Sequence, residues 1–260
     1  MTKSASMTAS LHYVVVPGAL PVAARLRVPT DGRDKHPAVI LLHGSAGPSA
    51  REGGYADALN AAGFVTLEPD MWAARNFRGG AEGRPRPHDA LADLHGARAL
   101  LAAHPAVDAA RIGVAGFSFG GVVALLAATK PFAGPAPLAA FLPVYPATWI
   151  WNRAPGFELK DVVDAPILLM TGALDQYDDD PEISAKLVAG LADADRARIA
   201  LKVMPDSHHG FDMPGIDVAV NDPFGHQGQG GSVIMRHNPE TTHAAHALAV
   251  DFFAKSLEAK

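Results

Sequence analysis

Arg111-Ile112-Gly113-Val114-Ala115-Gly116-Phe117-Ser118-Phe119-Gly120-Gly121, followed by an apolar run to Ala128, is the stretch on which the reading of this chain turns. Arg111–Ala115 has the character of a buried strand, and Gly121–Ala128 that of an apolar helix. Between them lies G-x-S-x-G, the arrangement in which a serine is held on a sharp strand-to-helix turn. The glycines have a steric reason: residues two before and two after the serine must be small for strand and helix to approach. Such a turn lifts the hydroxyl out of the sheet, and the helix N-terminus beside it favours developing negative charge. The competing readings are a small-residue turn with an N-capping serine, or a dinucleotide-binding loop. Gly113, Gly116, Gly120 and Gly121 do not match G-x-G-x-x-G, which argues against the second.

Outward from this turn, short apolar runs alternate with helix-period segments. Ala38–Leu42, Phe64–Leu67, Leu138–Leu142, Pro166–Met170 and Ile199–Val203 repeat the buried-strand signature, and Tyr13–Val16 and Val22–Val28 read as opening strands joined by a Pro17-Gly18 turn. Leu91, Leu94 and Leu101 share a helical face, as do Ile183, Leu187 and Leu191; Pro239–Leu257 carries a stripe of Ala245, Leu248, Ala249 and Phe252. The alternation predicts an α/β fold with a mostly parallel central sheet and helices on both faces. Two stretches, 73–87 and 212–238, lack periodicity and read as long loops of functional or lid-like type. The 260 residues suit one domain, with residues 1–10 expected to be a flexible tail.

Composition narrows the functions. Hydrophobic residues at 48% supply a sizeable core, while a net charge of -5 without basic runs argues against a nucleic-acid partner. Without cysteine, thiolate metal sites, disulfides and cysteine nucleophiles are excluded. No apolar run is long enough for a membrane span and no secretory h-region is visible, so a cytoplasmic protein is expected. Two histidines of the group His237, His243 and His246 lie three apart on a helix, but without H-E-x-x-H they suggest no metal.

A serine hydroxyl needs an imidazole in reach to take its proton, and that imidazole needs a carboxylate to hold its tautomer. Asp175 follows Pro166–Met170, and His209 lies just beyond Ile199–Val203. The order Ser118, Asp175, His209 is the chain order of such a triad on a strand–turn–helix scaffold. Asp178, Asp179 and Asp180 compete for the acid role but read better as helix-start acids; His208 competes for the base. His43-Gly44-Ser45-Ala46-Gly47 leaves a neighbouring strand end, making the backbone N–H groups of Ser45 and Phe119 candidate oxyanion donors, with His43 as a structural residue fixing the loop.

From about Pro37 onward the chain resembles the dienelactone hydrolase family of α/β-hydrolases. The resemblance rests on His43–Gly47, the Pro69-Asp70 strand exit, Gly116–Gly121, Thr171-Gly172 with Asp175, and His208-His209-Gly210-Phe211. In that family the catalytic histidine directly precedes a small residue and a phenylalanine, which implies His209 over His208. The name-giving enzymes carry a cysteine nucleophile where this chain has Ser118, and a glutamate where it has Gly44. Their arginine shortly after the histidine has no counterpart in Gly210–Gly215. The resemblance therefore implies a cofactor-free serine esterase for small to medium esters, with lactone hydrolysis, or acyl transfer or perhydrolysis by the same triad, as alternatives. Trp72, Tyr145, Trp149 and Trp151 fall beyond strand ends and are candidates for an aromatic pocket wall. Arg75, in a loop with Arg78, Arg84 and Arg86, is a candidate carboxylate contact, against the blander reading of a solvated loop.

Overall fold

A computed structural model describes residues 6–15 and 20–258. In chain order the elements are β1 (Ser6–Tyr13), β2 (Val22–Pro29), β3 (His36–Leu42), α1 (Ala50–Ala61), β4 (Val65–Asp70), α2 (Pro87–Ala103), β5 (Val107–Phe117), α3 (Phe119–Ala127), β6 (Ala140–Val144) and β7 (Ile167–Gly172). There follow α4 (Ile183–Ala189), α5 (Asp193–Arg196), β8 (Ile199–Met204), β9 (Asp217–Asp222), a single irregular turn α6 (Gly225–Gly228), β10 (Gly231–Arg236) and α7 (Pro239–Ser256). Eight strands form one sheet in the order β1-β2-β4-β3-β5-β6-β7-β8, with β1–β2 and β2–β4 antiparallel and the remainder parallel.

Strand β3 shows why the centre of the sheet is continuous apolar sequence. Its side chains alternate between layers: Ala38, Ile40 and Leu42 join the core beneath α2 and α3, whereas Val39 and Leu41 join the core beneath α1 and α7. Phe253 of α7 reaches β5 at Gly113, where an added Cβ would stand 2.7 Å from its ring. The chain thus closes both faces of the sheet with helices, the arrangement expected from the alternation of apolar runs.

Three expectations need correction. Residues 6–10 of the expected tail are part of β1, an edge strand paired in register with β2 from Ser6–Pro29 to Tyr13–Val22; residues 1–5 lie outside the described residues, as does the Pro17-Gly18 turn. The stretch 212–238 is no simple loop. It holds the β9–β10 hairpin, paired from Asp217–Arg236 to Asp222–Gly231, which is exposed along most of β9 and so lacks a buried-strand signature. On α7 the buried residues are Thr241, Ala245, Ala249 and Phe253, so the stripe ends at Phe253 rather than Phe252. Among the described residues no helix is long and apolar enough to cross a membrane.

Candidate active site

Ser118 sits between β5 and α3 with φ 52° and ψ −112°, a strained conformation for a residue with a side chain. What forces it is crowding. A Cβ on Gly116 would lie 2.0 Å from the Gly120 carbonyl oxygen, and one on Gly120 would lie 2.2 Å from that of Leu42. Only glycine lets β5, α3 and β3 approach this closely, and the half-buried serine is left at the top of the turn.

The neighbouring strand ends bring two further side chains to it. His209 Nε2 lies 2.8 Å from Ser118 Oγ, and His209 Nδ1 lies 2.7 Å from Asp175 Oδ2. The loops that carry acid and base touch directly: the Leu174 N–H donates to the Ser207 carbonyl at 2.9 Å, and a Cβ on Gly172 would stand 2.3 Å from that same oxygen. The second carboxylate oxygen of Asp175 accepts from the Tyr177 N–H at 2.9 Å. The imidazole is packed by the rings of Tyr177 and Tyr145, at centroid distances of 4.3 and 4.7 Å. Both His209 and Asp175 are buried.

The competitors are employed elsewhere. Asp178 is buried, accepts from the Thr148 hydroxyl, and accepts from the Trp149 N–H at 2.8 Å. Burial and the neighbouring Asp175 push its pKa up to about 6. Asp179 pairs with His226, and Asp180 accepts from Glu182 N–H and pairs with Lys186. The His208 ring has its Nδ1 buried without a hydrogen-bond partner among the described residues.

On the other side of Ser118, His43 holds the loop between β3 and α1. Its Nε2 accepts from the Met71 N–H at 2.9 Å, so the ring proton sits on Nδ1, which donates to the Gly44 carbonyl at 2.8 Å. Burial lowers its pKa, keeping the ring neutral. Trp72 Nε1 and Gly80 N–H both donate to the Ser45 carbonyl, at 3.1 and 3.2 Å. Neither Ser45 N–H nor Phe119 N–H has a backbone acceptor among the described residues.

A buried polar cluster underlies the site and was not anticipated. Arg51 binds the Glu52 carboxylate through Nε and Nη2, at 2.8 and 2.6 Å, and donates to Tyr145 Oη at 3.2 Å. The hydroxyls of Tyr145 and Tyr55 both donate to Asp212, three residues beyond His209. Desolvation raises the pKa of Asp212 and of both tyrosines, so the phenols stay protonated as donors. Ser49-x-x-Glu52 is a capping box, with Ser49 accepting from a backbone N–H and Glu52 accepting from Ser49 N–H at 2.7 Å. That S-x-x-E spacing was the available sequence signal for α1.

A cavity of about 550 Å³ opens on Ser118 and His209. Phe119, Val122, Trp149, Phe157, Tyr177 and Phe224 give it a largely apolar wall. Of the pocket candidates, Trp149 lines it and the other four do not. Trp72 is buried against His43, Phe77 and Phe119; Trp151 is buried against Phe157; Tyr145 is buried in the polar cluster. Arg75 is tied to Asp93 and to the carbonyls of Met71 and Asp89. The arginines at the cavity are instead Arg86, paired with Asp89, and Arg84, whose guanidinium covers the Phe224 ring at 4.4 Å. Among the described residues no cluster of His, Asp or Glu is arranged to hold a metal ion.

The sheet order, the strained serine turn and the loops gathered at one sheet edge define an α/β hydrolase. Residues 22–257 match the dienelactone hydrolase family, and the chain belongs to that family. No curated protein matches it in sequence. Its fold is shared by a Klebsiella pneumoniae protein provisionally described as a dienelactone hydrolase, with a TM-score of 0.71 and 18% identity over 96% of this chain and 99% of that one. A dienelactone hydrolase-like promiscuous phosphotriesterase from metagenomic libraries matches with a TM-score of 0.68 and 16% identity, over 98% and 100% of the two chains. An α/β serine hydrolase without lid from Xanthomonas campestris matches with a TM-score of 0.62 and 18% identity, over 97% and 96%. At these identities the likeness speaks to the fold.

Proposed function

We propose that this protein is a serine carboxylesterase that cleaves small to medium esters through an acyl-enzyme. The observation that carries the reading is the continuous chain Ser118 Oγ–His209–Asp175, at 2.8 and 2.7 Å, opening into an apolar cavity. His209 Nε2 takes the proton of Ser118 as Oγ attacks the ester carbonyl. The carbonyl oxygen becomes an oxyanion that accepts from Phe119 N–H and Ser45 N–H. His209, its other nitrogen held by Asp175, returns the proton to the departing alkoxide, which leaves as the alcohol. Water, deprotonated by the same imidazole, then attacks the acyl-enzyme, and collapse of the second tetrahedral intermediate returns the proton to Ser118 and frees the acid.

The absence of a glutamate at Gly44 supports a general ester over the dienelactone substrate. The test is labelling and turnover together. A fluorophosphonate probe should modify Ser118, located by peptide mass spectrometry, and nitrophenyl esters of two to twelve acyl carbons should be hydrolysed with an optimum at the short end. A chain that is labelled at no residue and turns over none of these esters is not an esterase.

A further inference from the structure

Two aromatic side chains at the cavity stand apart from the others in how they are used. Phe119 packs on Trp72, Phe157 on Trp151 and His88, and Tyr177 on His209, so each already has a ring partner within the protein. Trp149 and Phe224 have no ring partner among the described residues, although both line the cavity. Phe224 is 45% exposed, which leaves ring surface open to a ligand in the cavity.

Both are nevertheless held firmly, from different parts of the chain. Trp149 follows β6, its N–H fixed by Asp178, and the turn α6 presses on its indole. A Cβ on Gly228, a residue with φ 81°, would lie 2.6 Å from Trp149 Cη2, so this contact needs glycine. The indole N–H is buried without an acceptor among the described residues. Phe224 stands at the hairpin tip, where its N–H donates to Asp222 Oδ1 at 2.8 Å. Asp222 Oδ2 in turn accepts from the Tyr177 hydroxyl at 2.8 Å. Arg84, without a carboxylate partner among the described residues, covers the Phe224 ring and fixes its orientation.

We propose that Trp149 and Phe224 form a clamp for a planar aromatic group, so that the preferred substrates are esters with an arene in the acyl or alcohol part. The proposal rests on the esterase reading for its reaction but not for its recognition. Ring contacts of this kind contribute beyond buried area, and two of them amount to about a tenfold preference for an arene over a saturated ring of similar size.

The experiment uses matched pairs: methyl phenylacetate against methyl cyclohexylacetate, and benzyl acetate against cyclohexylmethyl acetate, with methyl butyrate as a small aliphatic reference. Turnover is followed by pH-stat and scaled to each ester's alkaline hydrolysis. In one pair at least, the aromatic member should show about tenfold higher kcat/KM. Phe224→Leu should bring the ratio towards one, the ratio being taken within each variant so that any change in general turnover cancels. Trp149→Leu should act in the same direction. Calorimetric binding of the same pairs to Ser118→Ala needs no turnover, and it should show the same preference. Equal binding of arene and saturated ring in both pairs, or a preference that survives both leucine variants, overturns the clamp and leaves the esterase reading standing. Arene-selective binding without hydrolysis by the parent supports the clamp and overturns the esterase.

Discussion

At the scale of the residue, the site depends on a few atoms whose neighbours leave no alternative. Ser118→Ala removes the attacking oxygen and leaves the strained turn intact, so circular dichroism should match the parent while kcat falls by about 10⁴ to 10⁶. Retention of a tenth of the activity would exclude Ser118 as nucleophile. Asp175→Asn and His209→Ala should also cost orders of magnitude, whereas His208→Ala should leave kcat within about threefold, because only His209 lies at hydrogen-bond distance from Ser118. Asp178→Asn should spare kcat as well, but it should change stability in a pH-dependent way. The folded-state pKa of Asp178 is raised from 3.8 to about 6, so the folded protein holds this proton more tightly than the unfolded chain. Its stabilising effect is full below pH 4 and is lost as pH rises through about 6, a change on the order of 3 kcal/mol. Urea melts at pH 4, 5, 6 and 7 should therefore show the asparagine variant gaining on the parent as pH rises. A constant difference would mean that Asp178 does not titrate in that window.

At the scale of the element, the turn between β5 and α3 separates crowding from backbone strain. Gly120→Ala places a methyl 2.2 Å from the Leu42 carbonyl, whereas Gly83 has φ 67° but open space around it. Gly120→Ala should cost at least about 4 kcal/mol, lowering Tm by about 10 °C, while Gly83→Ala should cost only about 1 kcal/mol. Similar thermal shifts for the two would show that conformation, not contact, demands the glycine. The turn was legible because its chemistry and its sterics leave the same mark, small residues at fixed offsets around a serine. Helix α1 was not. Its inward face carries Arg51, Glu52 and Asn60 among the apolar Tyr55 and Leu59, so burial there does not follow hydrophobicity. The β9–β10 hairpin was hidden for the opposite reason: Val218 and Val220 are exposed, and the glycines of its tip suggest irregular chain. The tryptophans illustrate the same limit. Position beyond a strand end placed Trp72, Trp149 and Trp151 near the pocket, but which of them faces it depends on packing: by Ser45 and Gly228, distant in sequence, on Trp72 and Trp149, and by Phe157, in the following loop, on Trp151.

At the scale of the whole molecule, the sheet divides into a parallel part, ending at the partly exposed edge strand β8, whose strand ends lead into Ser118, Asp175 and His209, and an antiparallel edge that carries none of them. In β1 only Tyr13 is buried, with its hydroxyl donating to the Asp93 carbonyl at 2.8 Å. Removing residues 1–11 should therefore lower Tm by several degrees and leave kcat for a short ester within about twofold. A tenfold loss of kcat with the fold retained would mean that this edge reaches the site by a route the contacts do not suggest.

The loop that bears His209 is sealed from behind by the segment that runs from β10 through α7. The Arg236 N–H donates to the His209 carbonyl, the Asn238 N–H donates to that of Phe211, and α7 fills the core beneath β5 with Phe253. During synthesis, a nascent chain that has emerged only to residue 215 carries Ser118, Asp175 and His209 in full, yet lacks the segment that fastens the base. The hairpin and α7 must therefore leave the ribosome before the His209 loop can be fastened against Ser118, so assembly of the three side chains waits on a segment that contributes none of them.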